Sequence, residues 1–233
     1  MAQEEPEQVL YAAIMEGLGY SQNRAPFIEL AYRAPIKELR ERALALPAPE
    51  RRAAMEGWLL EAAGFRPTEA GPIQPPGPVP CLRWNLFRVR PVNHPQRRIK
   101  GVALLLERHL EEGLAAGMVR LIGEGATLLQ QGLTVREEGR ALIGPDRARE
   151  LVINAVLPFA VACAGMLPHP VLAEAATGLY HGHPKTTGNE VQREMAELLV
   201  PTQWRPTISS ARRQQGLLHL QRLLARSDFR AGH

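Results

Sequence analysis

Residues 147 to 164 read RARELVINAVLPFAVACA, and this stretch decides the fold class. Leu151, Val152, Ala155 and Val156 recur at helical spacing, densely enough to predict burial on most sides. Gly144, Pro145 and Asp146 supply a start signal ahead of it. Pro158 has no backbone donor, so it is predicted to bend the helix. The apolar run from Ala155 to Leu167 falls short of the roughly 20 residues that a bilayer requires. The stretch therefore reads as the central helix of a packed core.

Working outward, apolar residues keep the same spacing, with almost no sustained strand-type alternation. The expectation is an all-α protein, an irregular multi-helix bundle around that central helix. On the N-terminal side, Pro6 opens a helix carrying Leu10, Ile14 and Leu18 and ended by Gly19; Pro26 begins a second, and Pro35 a third through Leu46. Pro49 starts a fourth through Trp58, Leu59 and Ala62, with Gly64 as the left-handed residue that closes it. Residues 66–82 are dense in Pro and Gly and read as a linker between an N-terminal helical unit, 1–65, and a C-terminal helical domain, 83–233.

Beyond the linker, Asn93 or His94 caps a helix with Pro95 in its first turn and Ile99, Val102, Leu105, Leu106 and Leu110 on its buried face. The glycine-rich run 113–139 predicts short helices and turns, with a small extended piece around Leu133 to Arg136. Further helices are expected from near Pro170, from near Asn189 with Thr187 and Glu190 as a capping box, and from Ser209 or Ser210.

The composition, 45% hydrophobic and 22% charged over 233 residues, supports a globular core. Cys81 and Cys163 stand far apart with no CxxC pairing, which argues against a disulfide framework or structural zinc and fits a reducing cytoplasm. No basic-then-apolar leader occupies residues 1–20, and the reading is of a cytoplasmic protein with no membrane segment.

The net charge of +4 is unevenly laid out. Residues 1–82 carry −3 and residues 110–202 carry −4, whereas 83–109 carry +6 and 203–233 carry +5. Two basic blocks thus interrupt an acidic chain, and if they meet they form one positive patch of the kind that binds phosphate or an acidic partner. The plainer reading is of surface arginines that cap helix ends and pair with glutamates.

No phosphate loop, GxSxG, HExxH or GxGxxG motif is present, so no catalytic residue and no cofactor is assigned. The pair His181 and His183 has no recognisable third ligand, and metal binding is not expected. Asn154 and His109 lie on apolar helices and read as hydrogen-bonded core groups. The candidate ligand-binding residues are Arg88, Arg90, Asn93, His94, Arg97 and Arg98 in the first block and Arg212, Arg213 and Gln214 in the second. Arginine's rigid fork suits planar anions, and Arg212 and Arg213 sit in a helix first turn, where the macrodipole disfavours cations. Trp84 and Trp204 flank the blocks as core fillers or as stacking surfaces.

Three readings follow. The leading one is a binding or accessory module whose arginines engage nucleic acid or an acidic protein. The second is an enzyme or small-anion site lined by Arg88, Arg90, Asn93, His94 and Arg212, with His94 moving a proton. The third is structural, with the arginines buried against Glu107, Glu150 or Glu194.

The segments LYAAIMEGLGYSQNRAPFIELA (10–31), W-x3-R-x-R-P-x-N-H-P-x-R-R-I (84–99), IGPDRARELVINAVLPF (143–159), NEVQREMAELL (189–199) and ARRQQGLLHL (211–220) together resemble a bacterial family catalogued as Domain of Unknown Function 2851. The resemblance follows the same order over nearly the whole chain and places it as the C-terminal helical part. Longer members carry an additional N-terminal region suggestive of a nuclease-like domain. The resemblance thus implies a helical module that works in association with such a domain.

Overall fold

The computed structural model describes residues 5–20, 22–65, 82–165, 171–188 and 190–231. The N-terminal helices are α1 (Pro6–Leu18), α2 (Arg24–Arg33), α3 (Ile36–Leu44) and α4 (Ala48–Ala62). After a 3-10 turn at Pro91–Asn93 come α5 (Pro95–Arg108), α6 (Leu114–Glu124) and α7 (Ala126–Leu133). Strands β1 (Val135–Glu137) and β2 (Arg140–Ile143) precede α8 (Pro145–Leu151), a π turn (Val152–Val156) and α9 (Leu157–Cys163). The chain closes with α10 (Leu172–Gly182), α11 (Glu190–Leu199), a 3-10 turn (Thr202–Thr207) and α12 (Ala211–Ala231). It is an all-α, multi-helix globular fold with one small hairpin.

The expected starts at Pro6, Pro95 and Pro145 each fall at the first helical residue, where the missing proline donor costs nothing. Gly64 adopts φ +77°, and Phe65 N–H bonds back to Leu60 carbonyl, closing α4 with a left-handed cap. Residues 66–81, most of the anticipated linker, lie outside the described residues, as do Pro170 and Asn189. Helices on both sides of that segment share one core: α1 packs on α2, α6 and the π turn, and α4 packs on α5.

Pro158 is accommodated within a continuous helical run by a defined device. Leu157 N–H bonds to Val152 carbonyl, five residues back, so the ladder widens to a π turn just before the proline. Pro158 cannot donate to the Asn154 carbonyl and its ring would crowd that oxygen; the wider turn relieves both problems. Asn154 is exposed here rather than buried, and its side-chain oxygen accepts from Gln215 Nε2 on α12 at 2.8 Å.

The extended piece expected near Leu133 to Arg136 is a two-stranded antiparallel hairpin reaching to Ile143. Glu138 and Gly139 both take positive φ at its tip, which matches the right-handed twist of a tight hairpin. This hairpin lies against α5 and presents backbone carbonyls to the start of that helix.

Candidate binding loop

The first basic block forms a loop, residues 83–90, followed by the 3-10 turn that leads into α5. It is fixed near its start by a buried polar group from the turn between α1 and α2 and at its far end from α5. Asn23, buried, exchanges two hydrogen bonds with the Asn85 backbone: Nδ2 donates to the carbonyl at 3.0 Å and Oδ1 accepts from the N–H at 2.8 Å. Trp84 is wedged edge-on to Phe27 and stacked on Phe65, and its Nε1 donates to Ala63 carbonyl at 2.8 Å. At the other end, Asn93 Oδ1 accepts from Arg98 Nη2 at 2.8 Å.

Arg98 is the keystone of that second anchor. Only 5% exposed, it donates Nη1 to Leu142 carbonyl at 2.7 Å and Nη2 to both Asn93 and the Tyr20 hydroxyl, the latter at 2.6 Å. One planar fork therefore ties β2, the loop and the α1–α2 turn together, a geometry that lysine's single ammonium does not reproduce. Arg147 lies over the Tyr20 ring, 3.3 Å from its centroid, and pairs with Glu150. Burial, opposed by Tyr20 and reinforced by the nearby Arg147 and Arg97 charges, pushes the Arg98 guanidinium below its usual range. Burial likewise raises the Glu150 carboxyl against the pull of Arg147. Tyr20 itself takes φ 53°, a left-handed backbone that a bulky residue adopts only where its surroundings hold it.

What the anchored loop displays is different in kind. Leu86 is 48% and Phe87 73% exposed, and Arg83, Arg88 and Arg90 are exposed with no hydrogen bond or ion pair from their side chains among the described residues. Arg88 sits at φ 54° with its guanidinium 5.1 Å from the Phe87 ring centroid. The loop is thus a fixed frame with an apolar tip and three unspent cations.

The nine expected ligand residues separate accordingly. Arg88 and Arg90 face solvent, whereas Asn93, Arg97 and Arg98 hold the frame, Arg97 by donating Nη2 to Ala141 carbonyl at 2.9 Å. His94 is the N-terminal cap position of α5, half-buried with its ring 6.2 Å from that of Phe65. In the second block Arg212 is exposed with no side-chain partner among the described residues, and Arg213 donates to Thr207 carbonyl. Gln214 is buried and clasps Thr186, accepting from its N–H at 2.8 Å and donating to its carbonyl at 3.0 Å.

The two blocks rest on different elements: the loop on the α1–α2 turn, Phe27 and Ala63, and α12 on α10 and α11. Trp84 is a core wedge; Trp204 is 60% exposed beside Arg205. Tyr20, Asn23 and Arg147 were not singled out from the sequence. Their only signals were an Asn beside a helix break and an arginine at the head of an apolar helix, neither of which names a distant partner.

Among the described residues no group of three or more His, Cys, Asp or Glu side chains is placed to hold a metal, and no helix is long and apolar enough to cross a membrane. No family model, curated protein or solved structure matches the chain.

Proposed function

We propose that the chain is a nucleic-acid-binding module whose contact element is the loop 83–90, with Phe87 stacking on an unpaired base and Arg83, Arg88 and Arg90 neutralising phosphates. The observation that carries this reading is the pairing of a largely exposed aromatic ring with three unpaired arginines on a loop anchored at both ends. Base stacking on an aromatic side chain contributes about 1–3 kcal/mol, and a fixed display lowers the ordering cost of binding. Single strands are favoured over duplex, because a ring at a loop tip needs an unstacked base to meet. The family resemblance adds the proposal that the module delivers such strands to a nuclease-like domain in the cytoplasm.

The test is fluorescence anisotropy of a labelled oligothymidylate of about 12 nucleotides. The expected affinity falls with salt, with a logarithmic slope of about −2 for three neutralised phosphates. Arg88→Ala with Arg90→Ala is expected to flatten that slope, and Phe87→Ala to weaken binding roughly tenfold or more at every salt concentration. Absence of binding at low salt, or binding indifferent to both changes, overturns the proposal.

A further inference from the structure

A second site lies away from the loop, lined by the start of α1, by Arg40 in the middle of α3 and by α6 with the turn before it. A groove of about 730 Å³ opens there, within the size range of small-molecule sites. Its floor is apolar, formed by Ala115, Ala116 and Val119, and its rim is charged. Most of that charge is already spent. Arg120 grips both oxygens of Glu112, at 3.1 and 3.0 Å, and reaches Glu124 at 2.8 Å.

Glu7 and Arg40 are the exceptions. Glu7 gives one carboxylate oxygen to the Leu114 N–H at 2.6 Å and has no cationic partner among the described residues. Arg40 donates Nε and Nη2 to the carbonyls of Leu110 and Glu111, each at 2.7 Å, and has no carboxylate partner among the described residues. One lone negative group and one lone positive group thus border the same groove. Both also border a smaller cavity of about 10 Å³, room for one water-sized group.

That small cavity is also lined by His109, a residue 3% exposed. Its Nδ1 lies 3.0 Å from Glu112 Oε1, which fixes the proton there and leaves Nε2 a buried acceptor with no partner among the described residues. The cavity is therefore lined by one unpartnered acceptor, His109 Nε2, together with the Glu7 side chain.

We propose that this groove binds an α-amino acid with an apolar side chain. Its carboxylate pairs with Arg40, its ammonium enters the small cavity toward Glu7 and His109, and its side chain lies along Ala115, Ala116 and Val119. A zwitterion is the ligand class that answers both lone charges at once; an amine or an acid alone answers one and leaves the other unpaired.

The experiment is calorimetric titration of the full chain with L-leucine, with its deaminated counterpart 4-methylpentanoate and with its decarboxylated counterpart 3-methylbutylamine. Saturable leucine binding is expected, with each counterpart weaker by roughly tenfold or more. Glu7→Gln keeps the oxygen that accepts from Leu114 and is expected to weaken leucine by a similar factor. Ala116→Trp, at an exposed position on the floor, is expected to abolish binding while leaving the melting temperature unchanged. The proposal is overturned by no saturable binding of leucine, valine or phenylalanine at about 10 mM, by a counterpart that binds as tightly as leucine, or by binding that survives Ala116→Trp. These outcomes are independent of the nucleic-acid readout, because none of the residues changed belongs to the loop.

Discussion

At the residue scale, four arginines within eleven positions have two opposite fates. Arg97 and Arg98 turn inward to carbonyls of β2, and Arg88 and Arg90 are exposed with no side-chain hydrogen bond or ion pair among the described residues. Position relative to α5 separates them: the first pair lies in the opening turn of that helix beside the hairpin, the second on the loop before it. Removing the Arg98 fork strands Leu142 carbonyl, Asn93 and the Tyr20 hydroxyl at once. Arg98→Ala is therefore expected to cost about 3 kcal/mol or more, and Arg98→Lys to recover only part of it, as read from urea unfolding. Asn23→Ala leaves the Asn85 N–H and carbonyl without their buried partner, at an expected cost of about 1–3 kcal/mol by the same measurement, and loosens the loop with it.

His109 gives a prediction in pH. Burial, working against the Glu112 hydrogen bond, holds its imidazole below the ordinary value, so the unfolded chain takes up that proton more readily than the folded one. Stability from this group is present above about pH 6.5 and is lost as pH falls from there. Glu112, held down to about 2 chiefly by Arg120 and then by His109, adds a second loss that begins as pH falls below 4.5. Thermal melts are expected to show the first loss flattened in His109→Gln while the second remains. Identical pH profiles for variant and wild type would contradict the assignment.

At the scale of elements, the α1–α2 turn governs the loop. Gly19 brings the end of α1 against the start of α2, and a Cβ there would stand 2.4 Å from the Asn23 carbonyl oxygen and 2.7 Å from Arg24 Cα, both backbone atoms that cannot swing aside. Gly19→Ala is expected to destabilise by about 1–3 kcal/mol and also to weaken oligonucleotide binding, because Tyr20 and Asn23 shift with the turn. Urea unfolding and anisotropy on the same sample check both halves.

Most of these elements were legible in the sequence, because proline at a helix start and glycine at a helix end act locally. The hairpin and the π turn were less so. Glu138 and Gly139 make a tight turn between strands of only three and four residues, too short for alternation to register. The response to Pro158 depended on whether the surrounding core allowed a kink or a wider turn. The loop's cations were legible as charge, but its anchors lie 62 and 78 residues distant along the chain and carry no local signal.

At the scale of the whole molecule, α1–α4 and the later helices bury their apolar faces in one cluster, so the charge layout along the chain is presented on one body rather than on separate beads. The basic segments rest on different parts of it: the loop before α5 on the α1–α2 turn, Phe27 of α2 and the end of α4, and α12 on α10 and α11. The proposed phosphate contact is therefore confined to the loop, with Arg212 as an outlying cation. The most direct measurement is the footprint of an unlabelled oligothymidylate on the amide spectrum of isotope-labelled protein at low salt. The expected result is shifts concentrated in residues 83–90, followed by smaller ones at the Tyr20 and Asn23 anchors. Shifts concentrated on α12, or spread evenly over the surface, would contradict the loop as the contact element.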